Sequence, residues 1–309
     1  MPRMPITRRD FTSSAVSALA LTALPLPIRA ACARPAFEIS LAQWSLHRAI
    51  RAGEFDPVEF PALARDRYAI DAVELVNTFY PEKARDTAYL RELRQRADDA
   101  GVRIALIMCD GVGALGAPDA ERRGDAVDGH VRWLEAAAAL GCHSIRVNAE
   151  SGGTFEEQQK LAADGLRRLS TLASGYGLNV LVENHGGLSS NGAWLAGVMR
   201  MVDFPNCGTL PDFGNFCMNW SRSGEPDAWY DRYLGVEELM SFAKAVSAKS
   251  YAFDDAGNET STNFVRMMRV VLEAGYKGYV GIEYEGSAHS EHEGILKTKA
   301  LLERVRDQL

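Results

Sequence analysis

The sequence has few of the features that mark several common classes of protein. Its 5 cysteines in 309 residues are an odd count without a Cys-x-x-Cys pair, so a disulfide framework, a thiolate metal site and a redox motif are not indicated. Lys and Arg total 34 against 41 Asp and Glu, which disfavours a nucleic-acid or anionic-membrane partner. The chain also lacks a Gly-Lys-Ser/Thr phosphate loop, a Gly-x-Ser-x-Gly motif and a linker rich in Pro, Gly or Ser. One enzyme-sized domain is therefore expected.

The first 33 residues carry the pattern of an export signal. The run Arg8-Arg9-Asp10-Phe11 precedes an apolar stretch over residues 15–28 and then Ala31-Cys32-Ala33. The stretch is too short and too interrupted by proline to span a bilayer, and a small-x-small cleavage site follows it. The paired arginines resemble the twin-arginine type, which is an address and not an anchor. We predict a twin-arginine signal at residues 1–33, a mature domain at 34–309, and a periplasmic or otherwise exported protein without a stable membrane anchor.

The mature domain alternates between short apolar segments and longer amphipathic ones. The predicted strands are Phe37–Trp44, Ala72–Val76, Val102–Met108, Ser144–Val147, Asn179–Val182, Cys207–Leu210, Ala245–Ala248 and Tyr279–Ile282. The predicted helices are Pro57–Arg67, Thr87–Ala100, Asp119–Leu140, Phe155–Tyr176, Ala193–Met201, Val236–Lys244, Ser261–Ala274 and Ser290–Gln308. Such alternation builds a parallel sheet covered by helices. Eight units favour a single (β/α)8 TIM barrel, with an open doubly wound sheet as the competing arrangement.

Carboxylates stand within or directly after the predicted strands. Glu74 lies in the second strand, Glu183 follows the fifth, Asp212 follows the sixth and Glu283 follows the eighth. In a barrel, the carboxyl ends of the strands meet at one mouth, where functional groups gather. Carboxylates crowded there repel one another unless they are protonated or share a cation. Oxygen ligands suit Mg²⁺ or Mn²⁺, and an added imidazole would also allow Zn²⁺ or Co²⁺.

Four motifs at these strand ends resemble those of the xylose isomerase-like TIM-barrel family, the sugar phosphate isomerase/epimerase group. They are Glu183-Asn184-His185-Gly186, Asp212-Phe213-Gly214-Asn215, Val246-Ser247-Ala248-Lys249 and Ile282-Glu283-Tyr284-Glu285-Gly286. The resemblance covers the whole mature chain. It implies a divalent metal held by Glu, Asp, His and Glu from strands five to eight, which Glu183, Asp212 and Glu283 match. Ser247 stands where many relatives have the His, so the fourth ligand is open, with His185 as a candidate.

The resemblance also implies a reaction and a set of sugar-contacting residues. The metal polarises a sugar carbonyl while paired glutamates, here Glu183 and Glu283, move a proton on the adjacent carbon. Phosphorylated sugars are largely cytosolic, so an exported member is expected to act on a non-phosphorylated sugar or keto-sugar. The residues expected to line its site are His185, Glu74, Trp44, His47, Arg146, Asn148, Asn215 and Lys249.

Other functions remain open at this stage. The same glutamates could start an elimination from a 3-keto-glycoside, which would make the protein a lyase or hydrolase. The serine at position 247 also leaves room for a non-catalytic sugar-binding barrel. A DNA endonuclease on this fold fits poorly, because such enzymes use a histidine-rich zinc cluster and the chain has 6 His and a net charge of −7. We expect a small carbohydrate as partner and no nucleic acid, and the sequence is compatible with a homo-oligomer.

Overall fold

The computed structural model describes residues 35–309. The predicted export signal lies outside these residues, so both the boundary at residue 33 and the export route stay predictions. The helices of residues 35–309 all fall short of the length and hydropathy that a membrane-spanning segment requires.

Eight parallel strands form one sheet in the described part of the chain. They are β1 Glu38–Ala42, β2 Ala72–Val76, β3 Arg103–Met108, β4 Ser144–Asn148, β5 Asn179–Glu183, β6 Cys207–Leu210, β7 Val246–Ser250 and β8 Tyr279–Tyr284. Continuous ladders join them in the order β6-β5-β4-β3-β2-β1-β8-β7. Two isolated parallel bridges, Thr209 with Ala243 and Asp212 with Ser247, join the two edges of the sheet. The sheet therefore curls round into the predicted TIM barrel and is not an open doubly wound sheet.

Helices follow the strands and cover the outside of the sheet. They are α1 His47–Arg51, α2 Phe60–Tyr68, α3 Thr87–Ala100, α4 Ala120–Leu140, α5 Phe155–Ser174, α6 Gly192–Val202, α7 Arg232–Met240, α8 Phe264–Glu273 and α9 Glu291–Gln308. The short α1 was not predicted. Helix α7 begins and ends four residues before its predicted bounds because the Asp231 side chain accepts hydrogen bonds from the N–H groups of Tyr233 and Leu234 and so caps it earlier.

The strands are largely buried on both faces because helices pack outside them and side chains fill the barrel inside. All five residues of β2 are buried. The larger apolar core lies between sheet and helices and includes Trp133 and Trp194, while a smaller cluster with Leu106 and Leu181 fills part of the barrel interior.

Strands β7 and β8 run two residues further than predicted, and this extension positions the mouth. The predicted strands end at the last apolar residue, Ala248 and Ile282. The observed ladder continues, pairing Lys249 with Glu283 and Ser250 with Tyr284, because backbone pairing does not depend on side-chain polarity. Lys249 and Glu283 are thereby neighbours on one edge of the barrel mouth.

Candidate active site

Three buried carboxylates meet at the carboxyl end of the barrel. Glu183 is the last residue of β5, Asp212 comes two residues after β6, and Glu283 is the fifth residue of β8. One oxygen from each lies within 4.8 Å of the others, and all three side chains are buried. We call Glu183, Asp212 and Glu283 the acid triad. The sequence prediction placed these three residues at one mouth, and the structure brings them together.

Local backbone geometry holds Asp212 in place and leaves one of its oxygens free. Oδ1 accepts hydrogen bonds from the N–H groups of Gly214 and Asn215, each at 2.8 Å. Oδ2 has no hydrogen-bond partner within residues 35–309 and lies 3.9 Å from Nζ of Lys249. A buried carboxylate oxygen without a partner is costly, which makes this atom a candidate ligand for a cation.

The two glutamates of the triad are held by different groups. Glu183 accepts a hydrogen bond at Oε1 from the Asn215 amide, 2.8 Å away, and its Oε2 lies 2.6 Å from Nε of Arg146 as an ion pair without hydrogen-bond alignment. Glu283 accepts a hydrogen bond at Oε2 from Oγ of Ser247 at 3.1 Å. Ser247 therefore orients a triad carboxylate.

Two buried cations compensate part of the negative charge. Nζ of Lys249 lies 3.1 Å from Glu283 Oε1 and 3.5 Å from Glu285 Oε2. Burial alone would lower the pKa of Lys249, but the carboxylates of Asp212 and Glu283 outweigh it and hold that pKa well above its usual value. Arg146 donates from Nη1 to Asp110 at 2.6 Å. The site thus gathers five carboxylates around two cations.

Burial also shifts the pKa values of two triad carboxyl groups. Burial raises the pKa of Glu183 to about 7, although Arg146 opposes this shift. Burial also raises the pKa of Asp212 to about 7 against the effect of Lys249. A hard divalent cation on the oxygens of the acid triad would relieve the excess of negative charge. The residues present therefore fit a metal, with the triad as ligands. The predicted fourth ligand, His185, lies outside this cluster, in which the carboxylate oxygens are within 4.8 Å of one another.

A cavity of about 400 Å³ opens at the mouth of the barrel, and we call it the first cavity; of the acid triad, Glu283 lines it and Glu183 and Asp212 do not. Four of the residues predicted to line a sugar site line it together with Glu283: Trp44, Arg146, Asn148 and His185. Asn148 also donates to Asp110 at 3.0 Å.

The other four predicted lining residues do not border the first cavity. Asn215 and Lys249 are buried beneath it and orient the triad. His47 instead contacts the backbone oxygen of Trp44 at 2.8 Å and stacks on its ring.

Glu74, the fourth of these residues, lies inside the barrel below the mouth. Its Oε1 accepts a hydrogen bond from Ser40 at 2.6 Å, and the carboxylate lies against Gly281. Burial raises the pKa of Glu74 to about 7. Val76, two residues further along the same face of β2, reaches the first cavity instead.

Sequence reasoning missed three acids that line the first cavity, Asp110, Glu150 and Glu285. Against the effect of burial, Arg146 lowers the pKa of Asp110 to about 2, so this carboxylate is charged. Glu285 accepts a hydrogen bond from the Trp44 indole. All three could have been found, because Asp110 is the first acid after β3, Glu150 is the first acid after β4, and Glu285 follows Glu283 by two residues.

The sequence and the fold both relate this chain to known proteins. The profile of the family described as xylose isomerase-like TIM barrel matches residues 47–305. A C-glycoside deglycosidase alpha subunit from Arthrobacter globiformis is 30% identical over 82 residues, which span 26% of this chain and only 21% of that subunit.

Solved structures at lower identity share the fold. The apo 3-keto-D-glucoside 4-epimerase of E. coli superposes with a TM-score of 0.65 at 17% identity, over 87% of this chain and 99% of the other. A xylose isomerase-like TIM barrel protein from Mycobacterium smegmatis, in complex with magnesium, gives a TM-score of 0.65 at 17% identity, over 88% and 97%. Because the family profile spans most of the chain and the barrel agrees with it, the chain belongs to the xylose isomerase-like TIM-barrel family.

Proposed function

We propose that this protein is a carbohydrate enzyme that moves a proton next to a carbonyl of a non-phosphorylated sugar or keto-sugar, as an isomerase or epimerase. Glu183 and Glu283 are the candidate acid and base, and Glu183, Asp212 and Glu283 would hold a divalent cation. The observation that carries the proposal is the buried acid triad, which two cations compensate only in part and whose Glu283 lines a cavity.

The residues of the site divide the work of the proposed reaction. When bound, a divalent cation would polarise the carbonyl and stabilise negative charge on its oxygen. Glu283 lines the first cavity, so it is the triad member placed to take a proton from substrate. Arg146 also lines the cavity and can bind a sugar oxygen while it keeps Glu183 in position.

The charge of the first cavity supports a substrate without phosphate. Four carboxylates line it, those of Asp110, Glu150, Glu283 and Glu285, against the guanidinium groups of Arg51 and Arg146. A phosphate dianion would be repelled by this wall, whereas hydroxyl groups could donate to it.

Hydrogen exchange tests the proposal directly. Aldoses, ketoses and 3-keto-glycosides are incubated in D₂O with each metal and followed by NMR, and the bound metal is identified by elemental analysis. Glu183→Gln and Glu283→Gln should each lower exchange by about 100-fold or more, because both remove a proton-transfer group. Glu237→Gln, on the exposed side of α7, is the matched control. Exchange that persists in both active-site variants would contradict the proposal, and binding without exchange would indicate a sugar-binding barrel.

Elimination from a 3-keto-glycoside is the second candidate. It begins with the same proton abstraction next to a carbonyl and then expels the glycosidic oxygen. The similarity to a C-glycoside deglycosidase subunit over 82 residues favours keeping it. NMR separates the candidates, because elimination releases the aglycone whereas epimerisation leaves the glycosidic bond intact.

We further propose that the enzyme works outside the cytoplasm. The support is the twin-arginine pattern of residues 1–33. In a Gram-negative host the wild-type chain should be recovered, shortened, in the periplasmic fraction, and a variant with Arg8→Lys and Arg9→Lys should stay full-length in the cytoplasm. Periplasmic recovery of the double variant would contradict this route.

A further inference from the structure

A second cavity of about 300 Å³ adjoins the first, and we call it the second cavity. Asn148, Glu150 and His185 line both cavities. The two spaces therefore meet at these three side chains. Each volume falls at the lower end of the range for small-ligand sites, about 300–1,000 Å³, so a ligand that fills both must be extended and have two parts.

An exposed indole borders the second cavity. Trp220 is 57% exposed, the highest value for a large hydrophobic side chain within residues 35–309. It packs edge-on against Trp229, with ring centroids 5.8 Å apart, and the Trp229 indole donates to the backbone oxygen of Ser223 at 2.8 Å. The indole is thus supported from behind while much of its surface stays open to solvent, which suits stacking on the apolar face of a ring.

The other walls of the second cavity are mixed. They include the polar residues Ser151, Gln158 and Ser189 beside Ala149, Leu188 and two glycines. At the junction, neither the Glu150 carboxylate nor the His185 ring forms a side-chain hydrogen bond within residues 35–309; His185 bonds through its backbone N–H to Ser189. The side chains of Ser151, Gln158 and Ser189 already donate to backbone oxygens, so Glu150 and His185 are the groups left to bond a ligand. A hydroxyl-rich ring suits this combination of one aromatic face with a carboxylate and an imidazole, whereas a flat aromatic ring would leave both without partners.

We propose that the active site takes a glycoside made of two sugar units. The reacting ring occupies the first cavity, the second ring lies against Trp220 in the second cavity, and the linking oxygen passes between Asn148, Glu150 and His185. This inference rests on the proposed function for the identity of the reacting ring, and it adds a binding subsite for the ring beyond the glycosidic bond.

Binding of sugars without a ring ketone tests the subsite apart from the reaction. Dissociation constants are measured by calorimetry for methyl glucosides, phenyl β-D-glucoside, methyl β-D-cellobioside and methyl α-D-maltoside. At least one disaccharide should bind about tenfold more tightly than its methyl glucoside. Trp220→Ala should remove that advantage, and Tyr176→Ala, at an exposed aromatic two residues after α5 and outside both cavities, should keep it. Gln158→Trp, which fills the second cavity, should abolish disaccharide binding and spare the methyl glucoside.

Three results would overturn the inference. They are equal affinities for one and two sugar units, a disaccharide advantage that survives Trp220→Ala, and a gain for the phenyl glucoside as large as that for the disaccharides. Because these probes cannot react, the outcome is independent of the exchange experiment. A disaccharide preference with no exchange on any keto-sugar would defeat the proposed function and leave the subsite intact.

Discussion

Two arginine–glutamate pairs with the same separation show how differently charged groups are solvated in the helical layer and at the barrel mouth. Nε of Arg85 lies 2.6 Å from Glu135 on the outside of the barrel, and Nε of Arg146 lies 2.6 Å from Glu183 at the mouth. The outer side chains are 67% and 37% exposed, and the inner ones 3% and 0%. Water solvates the outer charges whether or not they pair, whereas the inner charges depend on each other.

This difference explains why the acids at the mouth indicate a function and the acids on the surface do not. Outer acids reach neighbouring basic groups, as Glu92 does with Arg96 one helical turn away. At the mouth, buried carboxylates outnumber the cations, and Asp212 keeps an oxygen without a hydrogen bond within residues 35–309. An arrangement that costs folding free energy without compensation points to a use beyond stability, here the binding of a cation and a substrate.

Removing one arginine from each pair is the strongest test of the comparison. Arg146→Met leaves Glu183 and Asp110 without their buried partner and should lower the free energy of unfolding by about 3–5 kcal/mol. Arg85→Met should leave the free energy of unfolding unchanged within error, because the partly exposed Glu135 stays hydrated without its partner. Urea unfolding followed by circular dichroism measures both. Equal losses in the two variants would show that burial does not separate the pairs.

A buried histidine of the helical layer should make the fold sensitive to acid. His130 is 2% exposed on α4, and burial lowers its pKa from 6.5 to about 4. The folded state holds this ring neutral, so its stabilising contribution is complete above pH 6.5 and is lost as the pH falls towards 4. The loss should be on the order of 3 kcal/mol.

Unfolding at a series of pH values between 7.5 and 4 checks this expectation. The contribution of His130 is the difference between wild type and His130→Gln, whose free energy of unfolding should gain on that of the wild type as the pH falls, whereas His289→Gln, at a half-buried site before α9, should keep the wild-type pH dependence. A His130→Gln curve parallel to that of the wild type over the whole range would contradict the expectation.

Divalent cations should stabilise the mouth without acting on the helical layer. At a concentration of about 100 times the dissociation constant, Mg²⁺, Mn²⁺, Zn²⁺ or Co²⁺ bound to the acid triad should add about 2.7 kcal/mol to the free energy of unfolding, and chelation should remove it. Asp212→Asn should abolish the effect, whereas Asp164→Asn, at an exposed pair with Arg123, should retain it. Metal-dependent stabilisation that persists in Asp212→Asn would place the ion elsewhere.

The fold could be predicted because each strand and helix carries its own local pattern. Segments such as β2 are apolar on both faces, and the helices between them alternate buried and exposed sides. The strand ends were less predictable. Polar Lys249 and Glu283 belong to β7 and β8 because they pair along the backbone with one another. Side-chain polarity carries little information about where such backbone pairing ends.

Depth within the barrel separates the predicted site residues that meet at the mouth from those that lie below it. Glu74 and Glu183 both sit in apolar strand segments, yet Glu183 ends β5 at the mouth while Glu74 lies two residues short of the end of β2 and below the cavity. Likewise, Asn215 and Lys249 orient the triad from beneath. Alternation along a strand predicts which side chains point into the barrel, but it does not predict how far below the mouth each of them lies.

The sequence by itself determined the order of strands and helices, the barrel class and the three carboxylates at the strand ends, because these depend on local hydrophobic patterns and short motifs. Only the tertiary structure decided which charges are buried together, which residues line the two cavities, and that Trp220 stands beside His185. These relations depend on how neighbouring strands are staggered around the barrel and how loops from distant parts of the chain fold over its mouth, and no local stretch of sequence encodes that geometry.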